Sequence, residues 1–368
     1  MIPTSPMSAT PTPEPLGHPA LEHLRTKAQL LPLLRAWQAE GVAALAFKGF
    51  YLAEFVYPDP AERRYADVDL LLRPEDSARA LELAGRLGWR ALWRRQDSIY
   101  RFNHEEANLE QGGVMLEPHR LILDTATPWH PVQTRLTAAA WAASETLAWE
   151  GLDLRVLAPS DSVLMGLVLA RSWSGGDDWH LKRSDYRDLE VLAERFGLSE
   201  AELLARAEQL GCARTTRLFL ARCNPWRGLH DPSPPSPRQK RRWQLAATPE
   251  RGHLGLERAL IRLSRAPGTL RDALRYRPGA TLRPCASPSQ RRKEEIVRGA
   301  KLACSLAAAR RADPCLLRSQ TLYRALAAAG YPVRLEVGPG DDGQRHARIS
   351  VPGYALRDLE DVQTCAFT

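Results

Sequence analysis

The segment "YADVDLLL" at 65–72 constrains the fold more than any other stretch of the chain. Acidic and apolar residues alternate along it, which is typical of a β-strand, and Asp67 and Asp69 stand two positions apart. On a strand, that spacing puts both carboxylates on one face. Two like charges side by side are costly unless a cation neutralises them, and magnesium is the usual cation. The alternative is an exposed strand face with two solvated aspartates.

Patterns on both sides of this segment predict alternating strands and helices. A short strand and a Lys48-Gly49 turn precede it, "PEDSARALELAGRLG" at 74–88 follows as a helix, and "VMLEPHRLIL" at 114–123 is a further strand. This order of strand, helix, strand, helix and strand indicates an α/β unit. The almost wholly helical patterns from 159 to 222 indicate a second, helical lobe.

A third carboxylate, Glu117, lies on the later strand, which could pair alongside the first. Three carboxylates on adjacent strands form an oxygen-rich site able to hold two magnesium ions for in-line phosphoryl or nucleotidyl transfer. The backbone amides of Lys48-Gly49 and the lysine ammonium are candidates for holding a triphosphate. Arg63 and Arg64 are candidates for further phosphate contacts.

A second candidate site begins at Cys315, at the start of the predicted helix in "DPCLLRSQTLYRALAAAGYPVRLEVG". The positive end of a helix macrodipole stabilises a thiolate. His346, on a predicted strand, and Asp358 follow in the order of nucleophile, base and orienting group. Asp342 or Asp361 could fill the orienting role instead. The alternative is a core cysteine, a surface histidine and a loop aspartate.

Composition narrows the class of protein. The apolar share is 44%, enough for real cores, and no stretch approaches the roughly 18 apolar residues of a membrane helix. The N-terminus lacks the features of a signal peptide, and six scattered cysteines without paired spacing are expected as free thiols, so a cytoplasmic location is expected. The net charge of +8 is spread without an aromatic-interleaved basic face, so no nucleic-acid partner is expected.

The breaker-rich stretches predict the domain boundaries. Residues 1–19 are expected to form a disordered tail, and 20–275 a first domain that opens with a helix near 21–38. Residues 276–290 are a predicted linker. Residues 291–368 are expected to form a last unit of two helices and two strands around the turn "GPGDDG".

The stretch "LAFKGFYLAEFVYPDPAERRYADVDLLLRPED…VMLEPHRLIL" resembles the bacterial nucleotidyltransferase-like family of polymerase-β-type fold, and "SDYRDLEVL" around Asp188 resembles its helical lobe. The resemblance implies nucleotidyl transfer from a magnesium-bound nucleoside triphosphate, with the three carboxylates as metal ligands. Pro118 stands where the family usually has Leu, a change able to disturb the strand that carries Glu117. His119 is interpreted as packing against or orienting this strand.

The stretch "CLLRSQTLYRALAAAGYPVRLEVG…HARISVPGYALRDLEDV" resembles the leader-peptidase half of lasso-peptide B proteins, a transglutaminase-like family. The resemblance implies a cofactor-free cysteine protease in which Cys315 is the nucleophile, His346 the general base and then acid, and Asp358 the orienting group. Arg318 matches an arginine of the family motif, and Arg348 stands where the family usually has Trp.

Together the two resemblances imply a maturation enzyme for a lasso-type ribosomal peptide. Its partners would be a precursor peptide, a separate leader-recognition protein and an ATP-dependent ring-closing enzyme. No association with a membrane is expected. Two alternatives stay open. Pro118 and Arg348 motivate a nucleotide-binding or scaffold protein with one degenerate domain. A small-molecule nucleotidyltransferase would need only the first domain and leaves the cysteine unit unexplained.

Overall fold

The N-terminal part of the chain is a mixed α/β fold on a seven-stranded sheet of order β3-β4-β5-β2-β1-β7-β6. The computed structural model describes residues 19–98, 104–123, 131–173, 179–252, 268, 270–275, 289–308, 314–339, 345–351 and 365–367. The strands of this sheet are β1 Ala44–Ala46, β2 Val68–Leu72, β3 Arg90–Arg94, β4 Ala107–Gln111, β5 Val114–His119, β6 Glu145–Trp149 and β7 Leu152–Val156.

The two central strands β2 and β5 run parallel and place Asp69 opposite Glu117. Strands β1 and β7 are also parallel, and the other neighbours are antiparallel. Every residue of β2 is buried, as expected for a central strand covered on both faces. Strand β2 begins at Val68, so Asp67 lies immediately before it, and β5 ends four residues earlier than the predicted 114–123.

Pro118 does not interrupt β5. It stays in register opposite Leu70, and its carbonyl accepts a hydrogen bond from the amide of Glu106 at 2.7 Å. Proline removes only the N–H donor of its position, so a strand tolerates it where that donor is not needed. The substitution of Leu by Pro therefore leaves the strand that carries Glu117 intact.

Helices surround the sheet and form the predicted helical lobe after residue 159. On the sheet they are α1 Pro19–Ala39, α2 Lys48–Tyr51, α3 Ser77–Arg86 and α4 Pro131–Ala142. In the lobe they are α5 Pro159–Asp161, α6 Ala170–Ser172, α7 Arg183–Phe196, α8 Glu200–Gln209, α9 Ala213–Leu220 and α10 Pro237–Arg251. Two π-helical stretches, Leu52–Val56 and Ser162–Leu169, continue α2 and join α5 to α6. A short hairpin, β8 Cys223–Asn224 with β9 Leu229–His230, follows α9.

One hydrophobic core spans the sheet and the lobe. Helix α1 contributes Leu30, Leu33 and Trp37, and the indole of Trp37 donates to the Ala80 carbonyl of α3 at 3.1 Å. Burial of one large apolar side chain contributes roughly 1.5–3 kcal/mol, so this shared core holds the two layers together. None of the described helices is both long and apolar enough to cross a membrane.

The C-terminal unit has its own small core. Helices α11 Gln290–Ala308 and α12 Pro314–Ala328 precede a sheet of order β10-β11-β12. Its strands are β10 Arg334–Pro339, β11 Arg345–Ser350 and β12 Cys365–Phe367. Ile296 of α11, Leu322 of α12 and Ile349 of β11 pack together in that core. The two helices and first two strands match the predicted order, whereas β12 has no counterpart in the sequence prediction.

A buried carboxylate ties α11 to the edge of the large sheet. Glu294 is 1% exposed and accepts hydrogen bonds from the Trp93 indole at 2.8 Å and the Ser98 hydroxyl at 2.7 Å. Trp93 lies on β3, the strand at one edge of the sheet. The C-terminal unit is therefore joined to the sheet by side-chain hydrogen bonds as well as by the connecting chain.

Glu294→Ala is expected to destabilise the chain by about 2–6 kcal/mol, because two buried donors would each lose their acceptor at roughly 1–3 kcal/mol. Urea unfolding followed by circular dichroism measures the change. The matched control is Glu295→Ala on the same helix, since Glu295 pairs only near the surface with Arg291 and Arg292. Equal effects of the two substitutions would contradict a role of Glu294 in docking.

Candidate active site

A tight turn after β1 brings Lys48 over the central strands. Lys48 has a φ of +56°, a conformation that side-chain-bearing residues rarely adopt. A Cβ added to Gly49 would lie 2.6 Å from the Cβ of Tyr65, so only glycine fits this close approach. The turn aims the Lys48 ammonium at β2, and its Nζ lies 2.7 Å from Oδ1 of Asp69.

Parallel pairing of β2 with β5 assembles a buried polar cluster beside this lysine. His119 Nε2 lies 2.8 Å from Asp69 Oδ1 and 3.9 Å from Glu117 Oε2. From β4, Asn108 donates its amide to Glu117 Oε1 at 2.7 Å. One ligand atom from each of Asp69, Glu117 and His119 lies within 4.8 Å of the others, and all three residues are buried.

Opposite charges hold the cluster in defined protonation states. Burial would raise the pKa of Asp69, but Lys48 and the bond from His119 hold that pKa well below its usual range. Burial opposes the charge of Lys48 as well, yet the adjacent Asp69 carboxylate raises the pKa of the ammonium. Burial, with a contribution from Lys48, lowers the pKa of His119 to about 4. At neutral pH the cluster therefore holds an ionised aspartate, a charged lysine and a neutral histidine.

The free energy of unfolding of the metal-free chain is expected to fall as the pH drops from 6.5 to about 4. In this window the unfolded chain protonates His119 and the folded chain does not, so the unfolded state binds more protons and stability is lost with falling pH. At ~1.4 kcal/mol per pKa unit, the contribution is about 3 kcal/mol.

Urea unfolding across this pH range, in buffer with a chelator, measures the effect. His119→Gln should flatten the pH dependence. A slope that His119→Gln does not alter would contradict this assignment of the proton uptake.

A cavity of about 630 Å³ opens between the sheet and the lobe. Six residues predicted for the nucleotide and metal site line it: Lys48, Gly49, Arg63, Arg64, Asp67 and Asp69. The lobe contributes further cationic side chains to the wall, namely Arg171 and Lys182. The seventh predicted residue, Glu117, lies one strand further on, where it accepts a hydrogen bond from Asn108. Carboxylates also line the lobe side, where Asp185 pairs with Arg171 and Asp188 with Arg63, so the cavity carries both carboxylates and cations.

Arg63, which the sequence suggested as a phosphate contact, lines the cavity and also forms an ion pair with the helical lobe. Its guanidinium makes two bonds to Asp188 of α7, from Nε at 2.7 Å and from Nη2 at 2.9 Å. The Tyr57 hydroxyl donates to the same carboxylate at 2.8 Å. This bidentate pair joins the loop before β2 to the helical lobe and fixes the relative positions of the two cavity walls.

The second predicted site is described only in part. Cys315 is the second residue of α12, and His346 lies on β11 opposite Gly338 of β10. Asp358, together with Asp342 and Asp361, lies outside the described residues.

Other cysteines have the character of core residues. Cys212, Cys223 and Cys304 are buried thiols outside any disulfide. Burial raises the pKa of both Cys212 and Cys223 to about 12, which disfavours their thiolates. These three thiols are therefore poor candidates for a nucleophile.

Sequence reasoning missed strand β4 and with it Asn108. The signal was present, because Ala107 and Leu109 alternate with polar residues ahead of a Gly-Gly pair. Gly112 and Gly113 both have positive φ, at 56° and 81°, as a two-residue hairpin turn requires. Reading that turn would have placed Asn108 on the strand beside Glu117.

The mixed sheet, its helical lobe and the carboxylates on two central strands define a nucleotidyltransferase-like protein. The sequence model of a family described as uncharacterised nucleotidyltransferases matches residues 19–228. The match spans more than half of the chain, and the chain therefore belongs to this family. No curated protein matches the chain.

Solved structures that match part of this chain include an antibiotic-resistance factor and a lincosamide antibiotic adenylyltransferase. The antibiotic-resistance factor ANT(2″)-Ia is 14% identical, with 53% of this chain and 92% of that chain covered and a TM-score of 0.35. The lincosamide adenylyltransferase LnuA with bound lincomycin is 14% identical, with coverages of 45% and 96% and a TM-score of 0.32. An antigenic nucleotidyltransferase-like protein from Paracoccidioides brasiliensis is 17% identical, with coverages of 54% and 91% and a TM-score of 0.33.

Proposed function

We propose that the N-terminal part of this chain, over 20–275, transfers a nucleotidyl group from a magnesium-bound nucleoside triphosphate to an acceptor. One observation carries the proposal: Asp69 and Glu117 lie in register on parallel strands, beside a cavity with cationic walls. Two ionised carboxylates on neighbouring strands repel each other unless cations lie nearby. Lys48 supplies one positive charge, through its bond to Asp69. The arrangement suits a bound divalent ion and the phosphates that accompany it.

The donor set fits magnesium. The ligands would be Asp67, Asp69 and Glu117, whose oxygens are the hard donors that magnesium prefers, and Asp67 and Asp69 line the same cavity. When bound, magnesium would neutralise charge that develops on the phosphates. The Asn108 side-chain amide donates a hydrogen bond to Glu117, and the His119 ring donates one to Asp69. These bonds orient both carboxylates before any ligand binds.

The cationic residues would position the triphosphate. Lys48 and Arg64 line the sheet side of the cavity, and Arg171 and Lys182 line the lobe side. In the transfer, an acceptor oxygen forms a bond to the α-phosphorus, the bond from the α-phosphorus to the bridging oxygen of the β-phosphate breaks, and pyrophosphate leaves while the acceptor releases its proton. Fixed cations on both walls favour the in-line geometry that this exchange requires.

Label transfer tests this function. The full chain is incubated with magnesium and each α-labelled nucleoside triphosphate, with either a lasso-type precursor peptide or small-molecule acceptors. Label on the peptide supports a role in peptide maturation, and label on a small molecule supports the small-molecule alternative. Calorimetry that shows nucleotide binding without any labelled product would favour the scaffold alternative and overturn the transferase proposal.

We further propose that residues 291–368, after a linker at 276–290, form a transglutaminase-like cysteine protease. The observation in its favour is the order of elements, because Cys315 is in the first turn of α12 and the antiparallel pair β10–β11 follows with His346 on β11. A helix start stabilises a thiolate at Cys315. His346 would take and return the proton, and Asp358 would orient the imidazole.

The two activities combine in the maturation of a lasso-type ribosomal peptide in the bacterial cytoplasm. The protease would remove the leader from a precursor peptide that a separate leader-recognition protein presents, and an ATP-dependent enzyme would close the ring. The bond of Glu294 to Trp93 and Ser98 keeps the protease unit against the transferase sheet. One chain would thus present both sites to the same peptide.

A further inference from the structure

Residues 104–105, where the described part of the chain resumes after residue 98, lie against the end of β5. Glu105 forms an antiparallel bridge with His119, and the amide of Arg120 donates to the His104 carbonyl at 2.8 Å. Residues opposite each other in such a bridge carry neighbouring side chains. Backbone pairing therefore fixes Glu105 opposite His119 and His104 beside Arg120, the residue after His119.

These three side chains form a compact cluster of metal-binding type. His104 Nε2 lies 3.0 Å from Glu105 Oε1, and the ring centroids of His104 and His119 are 4.8 Å apart. One ligand atom from each residue lies within 4.8 Å of the others, and all three residues are buried. Ligand atoms around a tetrahedral zinc ion are separated by about 3.3 Å for bonds of roughly 2.0–2.1 Å, so small adjustments would close the cluster around an ion.

The second ring nitrogen of His119 is oriented and chemically available. Its Nδ1 is buried and has no hydrogen-bond partner among the residues that the structure describes. Its Nε2 lies 2.8 Å from Asp69, and an ionised carboxylate only accepts, so Nε2 carries the proton. A neutral imidazole has a single N–H, so Nδ1 holds a lone pair. A histidine that donates one N–H to a carboxylate and binds metal through the other nitrogen is the usual arrangement at zinc.

We propose that His104, Glu105 and Nδ1 of His119 bind a divalent ion of the zinc class, separate from the magnesium carboxylates. Two imidazoles and one carboxylate suit zinc or cobalt better than magnesium, which prefers oxygen ligands. Three protein ligands leave one position of a four-coordinate ion for water or a substrate group. His104 lines the cavity, so this position would be accessible from it. The proposal of this zinc-type site holds whether or not the chain catalyses nucleotidyl transfer.

Metal retention by the full chain tests the site. The protein is stripped with a chelator, loaded with zinc, dialysed and analysed for metal, and cobalt binding is followed by its visible absorption. Wild type should retain about one equivalent. Glu105→Gln and His104→Gln should each lower the affinity at least about 100-fold, since loss of a mere outer-shell partner already costs 10–100-fold.

The matched control is Glu106→Gln, one residue along, because Glu106 pairs with Arg95 at 2.9 Å. It should bind as wild type does. Manganese binding by electron paramagnetic resonance reports the carboxylate site and shows that each variant is folded. No retained zinc in wild type, equal affinity in Glu105→Gln and Glu106→Gln, or a sulfur-to-cobalt charge-transfer band would each overturn the proposal.

Discussion

Asp69→Asn is expected to reduce nucleotidyl transfer about 1,000-fold or more. The substitution removes the negative charge at the centre of the cluster, because Asp69 is 2% exposed and contacts both Lys48 and His119. Charge stabilisation at such a site is worth several kcal/mol, and each ~1.4 kcal/mol corresponds to a tenfold change in rate. Initial rates with α-labelled triphosphate measure the loss.

The control for this substitution is Asp153→Asn on β7, which makes the same chemical change at an exposed position of the same sheet. It should keep wild-type rates. Circular dichroism melting separates loss of chemistry from loss of fold, because Asn at 69 also leaves Lys48 with a weaker partner. A folded Asp69→Asn variant with a wild-type rate would remove this carboxylate from the mechanism.

Cys315→Ala is expected to abolish cleavage of the precursor peptide while nucleotide-dependent activity continues. Removal of the nucleophile from the catalytic triad of a serine protease lowers kcat by about a million-fold. Mass spectrometry of a precursor peptide incubated with the leader-recognition protein detects the released leader.

Cys304→Ala provides the comparison, because Cys304 is a buried thiol on the preceding helix α11. That variant should cleave at the wild-type rate once it is shown to be folded. Cleavage by Cys315→Ala would exclude the cysteine-protease proposal. It would leave the transferase proposal untouched, since the two sites are on different units of the chain.

The central part of the fold could be predicted from local pattern. Alternation in "YADVDLLL" placed Asp69 on a strand, and a later apolar run placed Glu117 on another. Pairing of the two strands was an expectation, and the structure has them as parallel neighbours in register. Family resemblance made the same assignment specific, because it supplied the order of the motifs along the chain.

Long-range contacts were beyond the reach of local pattern. Lys48 was predicted to hold phosphate, and its hydrogen bond to Asp69, 21 residues away, was not foreseen. Arg63 was assigned to the same task, and its partner is Asp188, 125 residues away. Such pairings depend on how sheet and lobe pack, and no periodicity in the sequence encodes that arrangement.

The products of triphosphate turnover test the central claim most directly. The full chain is supplied with magnesium, each nucleoside triphosphate and a precursor peptide, and the released phosphates are identified by phosphorus nuclear magnetic resonance. The account predicts pyrophosphate together with a nucleoside monophosphate joined to the acceptor, and loss of both in Asp69→Asn. Release of orthophosphate alone, with a nucleoside diphosphate left over, would contradict nucleotidyl transfer.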